Sequence, residues 1–182
     1  MRRPVIGVMG GSKVSETVAE QARRLGELIA RRGWILLNGG RNAGVMDASA
    51  KGAHDAGGLV IGILPDKSDA RASTHLDIAI RTGMGDGRNL INVLSSDVVI
   101  ACRGALGTLS EIVLALKHDR TVILLDRDPH AELEPFVRKG LLLTARTPEE
   151  AVELAASHLG PRAATAEQSP DREGARGSEP RP

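Results

Sequence analysis

The sequence predicts an α/β fold, a doubly wound parallel sheet in a three-layer α/β/α sandwich. Three observations predict it. The apolar runs are short and continuous instead of alternating, as strands covered on both faces must be. They alternate regularly with segments of helical periodicity, the pattern of right-handed β-α-β crossovers. Glycine clusters at 10–11, 39–40, 83/85/87 and 104/107 fall where a strand hands over to a helix. That edge of an open α/β sheet is where ligands bind. The expected architecture is therefore a single Rossmann-like domain.

Val5–Met9 is an apolar run bounded by Pro4 and by Gly10-Gly11. Residues 17–32 carry Val18, Ala22, Leu25 and Leu28/Ile29 on one helical face, with Thr17 and Glu20 at capping-box spacing and Gly33 as the stop. Residues 34–37 read as a strand, and Gly39-Gly40 turns into a helix over 45–56 that Gly57-Gly58 ends. Leu59–Leu64 is a third strand closed by Pro65. Residues 66–75 form a polar loop, either a lid or a plain connection. The remaining reading is strand 76–80, helix 86–94, strand 98–102, helix 108–118, strand 122–125 and strand 141–144, then the helix Pro148–Leu159 with Thr147 as its cap.

Length and composition bound the function. The 182 residues, 41% apolar and 26% charged, suffice for one well-buried core. Residues 161–182 hold four prolines and no Val, Ile, Leu, Met, Phe or Trp, so the folded domain is expected over 1–160 and a disordered tail after it. A net charge of +1 argues against a nucleic-acid partner, and two aromatic residues cannot build a base-stacking platform. The first apolar run is too short for a signal-peptide core, and no stretch approaches the ~20 apolar residues of a membrane span. The protein is expected in the cytoplasm, with no membrane partner.

Motif elimination narrows the chemistry. The chain lacks a Gly-Lys pair, a G-x-G-x-x-G run and a G-x-S-x-G elbow. Walker, ordinary dinucleotide and α/β-hydrolase readings fall away. The lone Cys102 reads as a core thiol. The five histidines are scattered, with His54, His118 and His158 expected on solvated helix faces, and no metal site is expected. Asp47 and Asp126 read as helix-surface and loop residues.

Three glycine loops remain: 38–47, 82–89 and 103–111. Bare backbone N–H groups and positive helix ends converge there on one edge of the sheet, which suits a phosphate. Arg41 reads as either a phosphate partner or a solvated loop charge. Thr108 and Glu111 have capping-box spacing, so Glu111 reads as a cap, a ligand group or both.

At these residues the chain resembles a known family. Gly104-Ala-Leu-Gly107-Thr108-Leu-Ser-Glu111 is similar to the P-G-G-x-G-T-x-x-E motif of the lonely-guy (LOG) phosphoribohydrolases, also called lysine-decarboxylase-like. Gly39-Gly40 through Gly44-Val-Met and Gly57-Gly58 resemble the segment before it, and Gly87-Arg88-Asn89 falls where those enzymes carry an Arg-Lys pair. The closer resemblance is to a compact branch that includes molybdenum-cofactor carrier proteins. Arg103 stands in place of the motif proline, Ala105 in place of its second glycine and Asn89 in place of the lysine.

The glycine loops and the resemblance together give an expected phosphate or nucleotide site on Gly10, Gly11, Gly39, Gly40, Arg41, Gly104, Ala105, Gly107 and Thr108, with the resemblance implying the 5′-phosphate on the backbone of residues 104–108. The resemblance implies Arg88 and Glu111 as catalytic groups flanking the ribose, where a carboxylate would stabilise positive charge on the sugar. The expected activity is hydrolysis of the N-glycosidic bond of nucleoside 5′-monophosphates to base and ribose 5-phosphate. The alternative is a non-catalytic carrier or sensor of a phosphate-bearing ligand such as molybdenum cofactor. No cofactor is expected to be required; a small phosphate-bearing ligand, nucleotide or pterin, is the expected partner, in a homo-oligomer.

Overall fold

A computed structural model describes residues 2–160; the tail expected over 161–182 lies outside the described residues. The elements are β1 (Val5–Met9), α1 (Glu16–Arg31), β2 (Ile35–Asn38), α2 (Gly44–Asp55), β3 (Leu59–Leu64), β4 (Ile78–Arg81), α3 (Arg88–Leu94), β5 (Val98–Ala101), α4 (Leu106–Lys117), β6 (Thr121–Leu125), α5 (Glu134–Arg138), β7 (Leu142–Ala145) and α6 (Pro148–Leu159). The seven strands form one parallel sheet in the order β4-β3-β2-β1-β5-β6-β7. The strand order reverses between β1 and β5, which makes the carboxyl ends of those strands the natural crevice.

Each strand sends alternate residues to opposite faces. Ile6, Val8, Leu36 and Ile100 join Leu25, Ile29, Ala50 and Val152 on the side of α1, α2 and α6. Met9, Leu37, Val99 and Leu124 join Val93, Ile112 and Leu116 on the side of α3 and α4. The two apolar clusters are the inner layers of the sandwich. Between α1 and α2 the helices cross at backbone contact: a Cβ on Gly52 would lie 1.8 Å from the Arg23 carbonyl oxygen.

Several expectations are corrected locally. The cap of α1 is Ser15, whose Oγ accepts from the Val18 N–H, and Thr17 lies inside the helix. Strand β4 starts two residues later than expected, and all four of its residues are exposed. As an edge strand it escapes the coverage that its apolar Ile-Ala-Ile run suggested. A 3₁₀ turn at Gly85–Gly87 precedes α3, which starts at Arg88. Helix α5 was not expected; its five residues around Pro135 are too few to show a period. His158 is exposed on its helix face, as expected, and its Nε2 also lies 2.5 Å from Thr121 Oγ1. The Thr147 cap of α6 holds, with its Oγ1 accepting from the Glu150 N–H.

Candidate functional site

The carboxyl ends of β1, β2, β3 and β5 open into one cleft of about 330 Å³. That is the lower end of the size range for small-molecule sites. The loop after β1 forms its floor. Gly11 N–H donates to the Arg103 carbonyl at 3.0 Å, and Val45 N–H donates to the Gly11 carbonyl at 3.0 Å. Those two bonds tie the first glycine loop to the loop after β5 on one side and to α2 on the other. Gly104 lies beneath Thr108: a Cβ there would meet Thr108 Oγ1 at 2.1 Å and the Gly11 nitrogen at 2.8 Å.

Helix α4 begins at the cleft. Its N-cap, Ala105, is extended (φ −99°) and no side chain caps the helix. Alanine is unstrained there, so this departure from the family motif costs the backbone nothing. Ala105, Gly107 and Thr108 line the cleft. The first N–H groups of α4 therefore face the cleft without the side-chain cap that Ser15 and Thr147 give α1 and α6.

Glu111 is not a cap. Helix α4 starts at Leu106, so Glu111 sits in its second turn, beyond reach of the free N–H groups. It is 7% exposed, and Asn92 Nδ2 donates to its Oε1 at 3.0 Å. Burial pushes its carboxyl up from the usual carboxylate range, against the opposing pull of the Asn92 hydrogen bond and the Arg88 charge. Asn92 is itself fully buried, and its Oδ1 has no hydrogen-bond partner among the described residues.

Two arginines line the cleft. Arg88, the first residue of α3, donates from Nη1 to the Ile63 carbonyl at 2.9 Å. Its guanidinium crosses Gly39, where a Cβ would lie 2.2 Å from Nη1; only glycine lets the side chain through without displacement. Arg41, after β2, pairs with Asp66 at 3.0 Å, and Asp66 also pairs with Arg71 at 2.9 Å. The Nε atoms of both Arg41 and Arg88 are buried without a hydrogen-bond partner among the described residues. Burial holds the Arg88 pKa below its ordinary value; Glu111 opposes that shift and the nearby Arg41 charge adds to it.

Nine of the eleven expected residues line the cleft: Gly10, Gly11, Gly39, Arg41, Arg88, Ala105, Gly107, Thr108 and Glu111. Gly40 and Gly104 shape the walls from behind. Gly40 takes a φ of +74° and donates its N–H to Asn38 Oδ1 at 2.8 Å. Asn38 is a buried turn residue bonded to Met46 and Ser49. Arg103 points outward toward Asp126. Asp47 is half-buried and accepts from Ser73 Oγ at 2.6 Å. Cys102 is a core thiol, its pKa pushed up to about 12 by burial.

Sequence reasoning missed Asn92 and Asp66. The signal for Asn92 was present: it follows Arg88 by four residues, so a helix there puts both on one face. Asp66 carries no such spacing. Among the described residues no group of three or more His, Cys, Asp or Glu could hold a metal ion, and no helix is long and apolar enough to cross a membrane.

Residues 3–152 match the model of the SLOG cluster4 family. The molybdenum cofactor binding protein of the phototrophic bacterium Rippkaea orientalis is 51% identical, with a TM-score of 0.81 over 87% of this chain and 99% of that one. The molybdenum cofactor carrier protein of Chlamydomonas reinhardtii is 42% identical, with a TM-score of 0.80 over the same shares. A cytokinin riboside 5′-monophosphate phosphoribohydrolase of Mycobacterium tuberculosis is 32% identical over 74% of this chain and 76% of its own length.

Proposed function

This chain belongs to the SLOG cluster4 family, and we propose that it binds a phosphate-bearing pterin of the molybdenum cofactor class and acts as its carrier. One observation carries the reading: the N-terminus of α4 opens, without a side-chain cap, into a cleft that two half-buried arginines also line. Free N–H groups and the positive helix end favour a phosphate there. The donors fit an anionic ligand. The likeness to the two molybdenum cofactor proteins, higher in identity and more complete in coverage than that to the phosphoribohydrolase, favours a pterin over a nucleotide. In this reading Ala105, Gly107 and Thr108 receive the phosphate. The protein works in the cytoplasm as a homo-oligomer, with the exposed Leu94 and Val113 of α3 and α4 covered by a second copy.

A second reading keeps the same phosphate position and adds catalysis on a nucleoside 5′-monophosphate. The placement of Arg88 and Glu111 in one cleft favours it. A carboxyl raised by burial is suited to hand a proton to a departing base, and once ionised it would stabilise charge on the sugar.

Two measurements test these readings. Protein isolated from cells that make molybdenum cofactor is expected to carry about one pterin and one phosphate per chain by mass spectrometry. A base-release assay on a nucleotide panel is expected to show no turnover. Release of base, with no pterin bound, would transfer the function to the second reading.

A further inference from the structure

We propose that the cleft holds two anionic groups at once, with Arg41 and Arg88 forming an oxyanion subsite separate from the N-terminus of α4. The ligand is then a small elongated molecule with a phosphate at one end and a second negative group at the other. This deepens the carrier reading and rests on its phosphate position.

The first argument is unmet hydrogen-bonding capacity. A guanidinium offers five N–H donors. Arg88 uses Nη1 on the Ile63 carbonyl and makes no ion pair among the described residues. Arg41 uses Nη2 on Asp66. Both Nε groups are buried and unused. Two half-buried cations that line one cleft repel each other, and a shared oxyanion would satisfy both.

The second argument is position along the sheet. Arg41 follows β2, and the Arg88 guanidinium crosses Gly39, just after β2, to reach the Ile63 carbonyl near the end of β3. Helix α4 follows β5. In the order β3-β2-β1-β5, the ends of β2 and β5 are two strand spacings apart. Those strand ends are about 10 Å apart, and the loop after β5 carries the start of α4 beside Gly11 at the end of β1, a different strand from the one that Arg41 follows.

The third argument is charge. Asp66 already binds Arg41, so an incoming anion must compete with it. Asp66 keeps a second cation, Arg71, at 2.9 Å. Release of Arg41 to a ligand therefore leaves no bare carboxylate behind.

Calorimetric titration with two simple probes tests the proposal: adenosine 5′-monophosphate for the α4 position and molybdate for the arginine pair. With the nucleotide saturating, wild type is expected to take up one further molybdate per chain. Arg41→Gln should weaken molybdate binding about tenfold or more while leaving the nucleotide within about twofold. Arg41→Lys should fall between, since it keeps the charge and loses the fork. Melting temperatures of the variants confirm that they fold. If molybdate simply displaces the nucleotide, or Arg41→Gln leaves molybdate binding unchanged, the second subsite is wrong and the carrier reading stands. If the nucleotide binds and molybdate does not, the outcome is the same. If neither anion binds, both fall.

Discussion

Asn92 on α3 donates from Nδ2 to Glu111 Oε1 on α4 at 3.0 Å, so the most buried of the three acidic side chains that line the cleft is held by a neighbouring helix and not by its own helix terminus. That pairing changes what a substitution at Glu111 should do. Burial holds its folded carboxyl above the ordinary range. The stability that such a group contributes is complete below the unfolded pKa and is lost as pH rises through the folded one.

Wild type should therefore gain stability relative to Glu111→Gln as pH falls through the raised folded pKa toward the ordinary carboxylate range. At neutral pH the glutamine variant should be at least as stable as wild type. Denaturant melts over that fall in pH measure the difference. A curve for wild type minus variant that is flat with pH would show that Glu111 is not buried as a strained carboxyl.

Stability and binding should separate at two glycines. Gly107 lies within α4 and a Cβ there meets nothing within 4 Å, so Gly107→Ala should stabilise the fold by ~0.5–1 kcal/mol. The same methyl would stand in the cleft beside the free N–H groups and should weaken nucleotide binding about tenfold. Gly39→Ala should push the Arg88 guanidinium off the Ile63 carbonyl at a cost of about 1–2 kcal/mol. Melting temperature and nucleotide titration on both variants check this; a Gly107→Ala protein that binds as wild type would move the phosphate away from α4.

The α1–α2 crossing should tolerate no side chain at position 52. A Cβ at 1.8 Å from the Arg23 carbonyl oxygen meets backbone, which cannot rotate away. Gly52→Ala should cost ~3 kcal/mol or more and lower the melting temperature by roughly 10 °C. A loss under about 1 kcal/mol would mean that the helices separate freely.

Cys102 should resist thiol reagents. Its thiol is buried and its pKa is pushed up to about 12, so little thiolate exists at neutral pH. Labelling at about pH 8 should proceed at the rate of unfolding and not faster. Rapid stoichiometric labelling of the native protein would contradict that burial.

Much of the fold was legible because the physics that specifies it is local. Continuous runs such as Val5–Met9 and Leu59–Leu64 bury both faces of a strand, and the spacing Val18, Ala22, Leu25, Ile29 buries one face of a helix. Short elements failed for the same reason. Five residues around Pro135 show no period, and the exposed β4 reads like a core strand, since its edge position is set by sheet order.

The glycine loops announced the site by themselves, because a strand-to-helix turn with bare backbone is written in consecutive residues. The role of Glu111 was not legible. Thr108-x-x-Glu111 has the spacing of a capping box, yet α4 starts two residues before Thr108 and the carboxylate turns to Asn92. Sequence alone determined the three-layer fold, the edge of the sheet where the cleft opens and nine of the residues that line it. Tertiary structure alone decided that Arg88 passes over Gly39, that Asp66 joins Arg41 to Arg71, and that Asn92 holds Glu111. The reason is physical: turns and periodicity act between near neighbours in the chain, whereas burial and charge act between groups that only the folded sheet brings within a few ångströms.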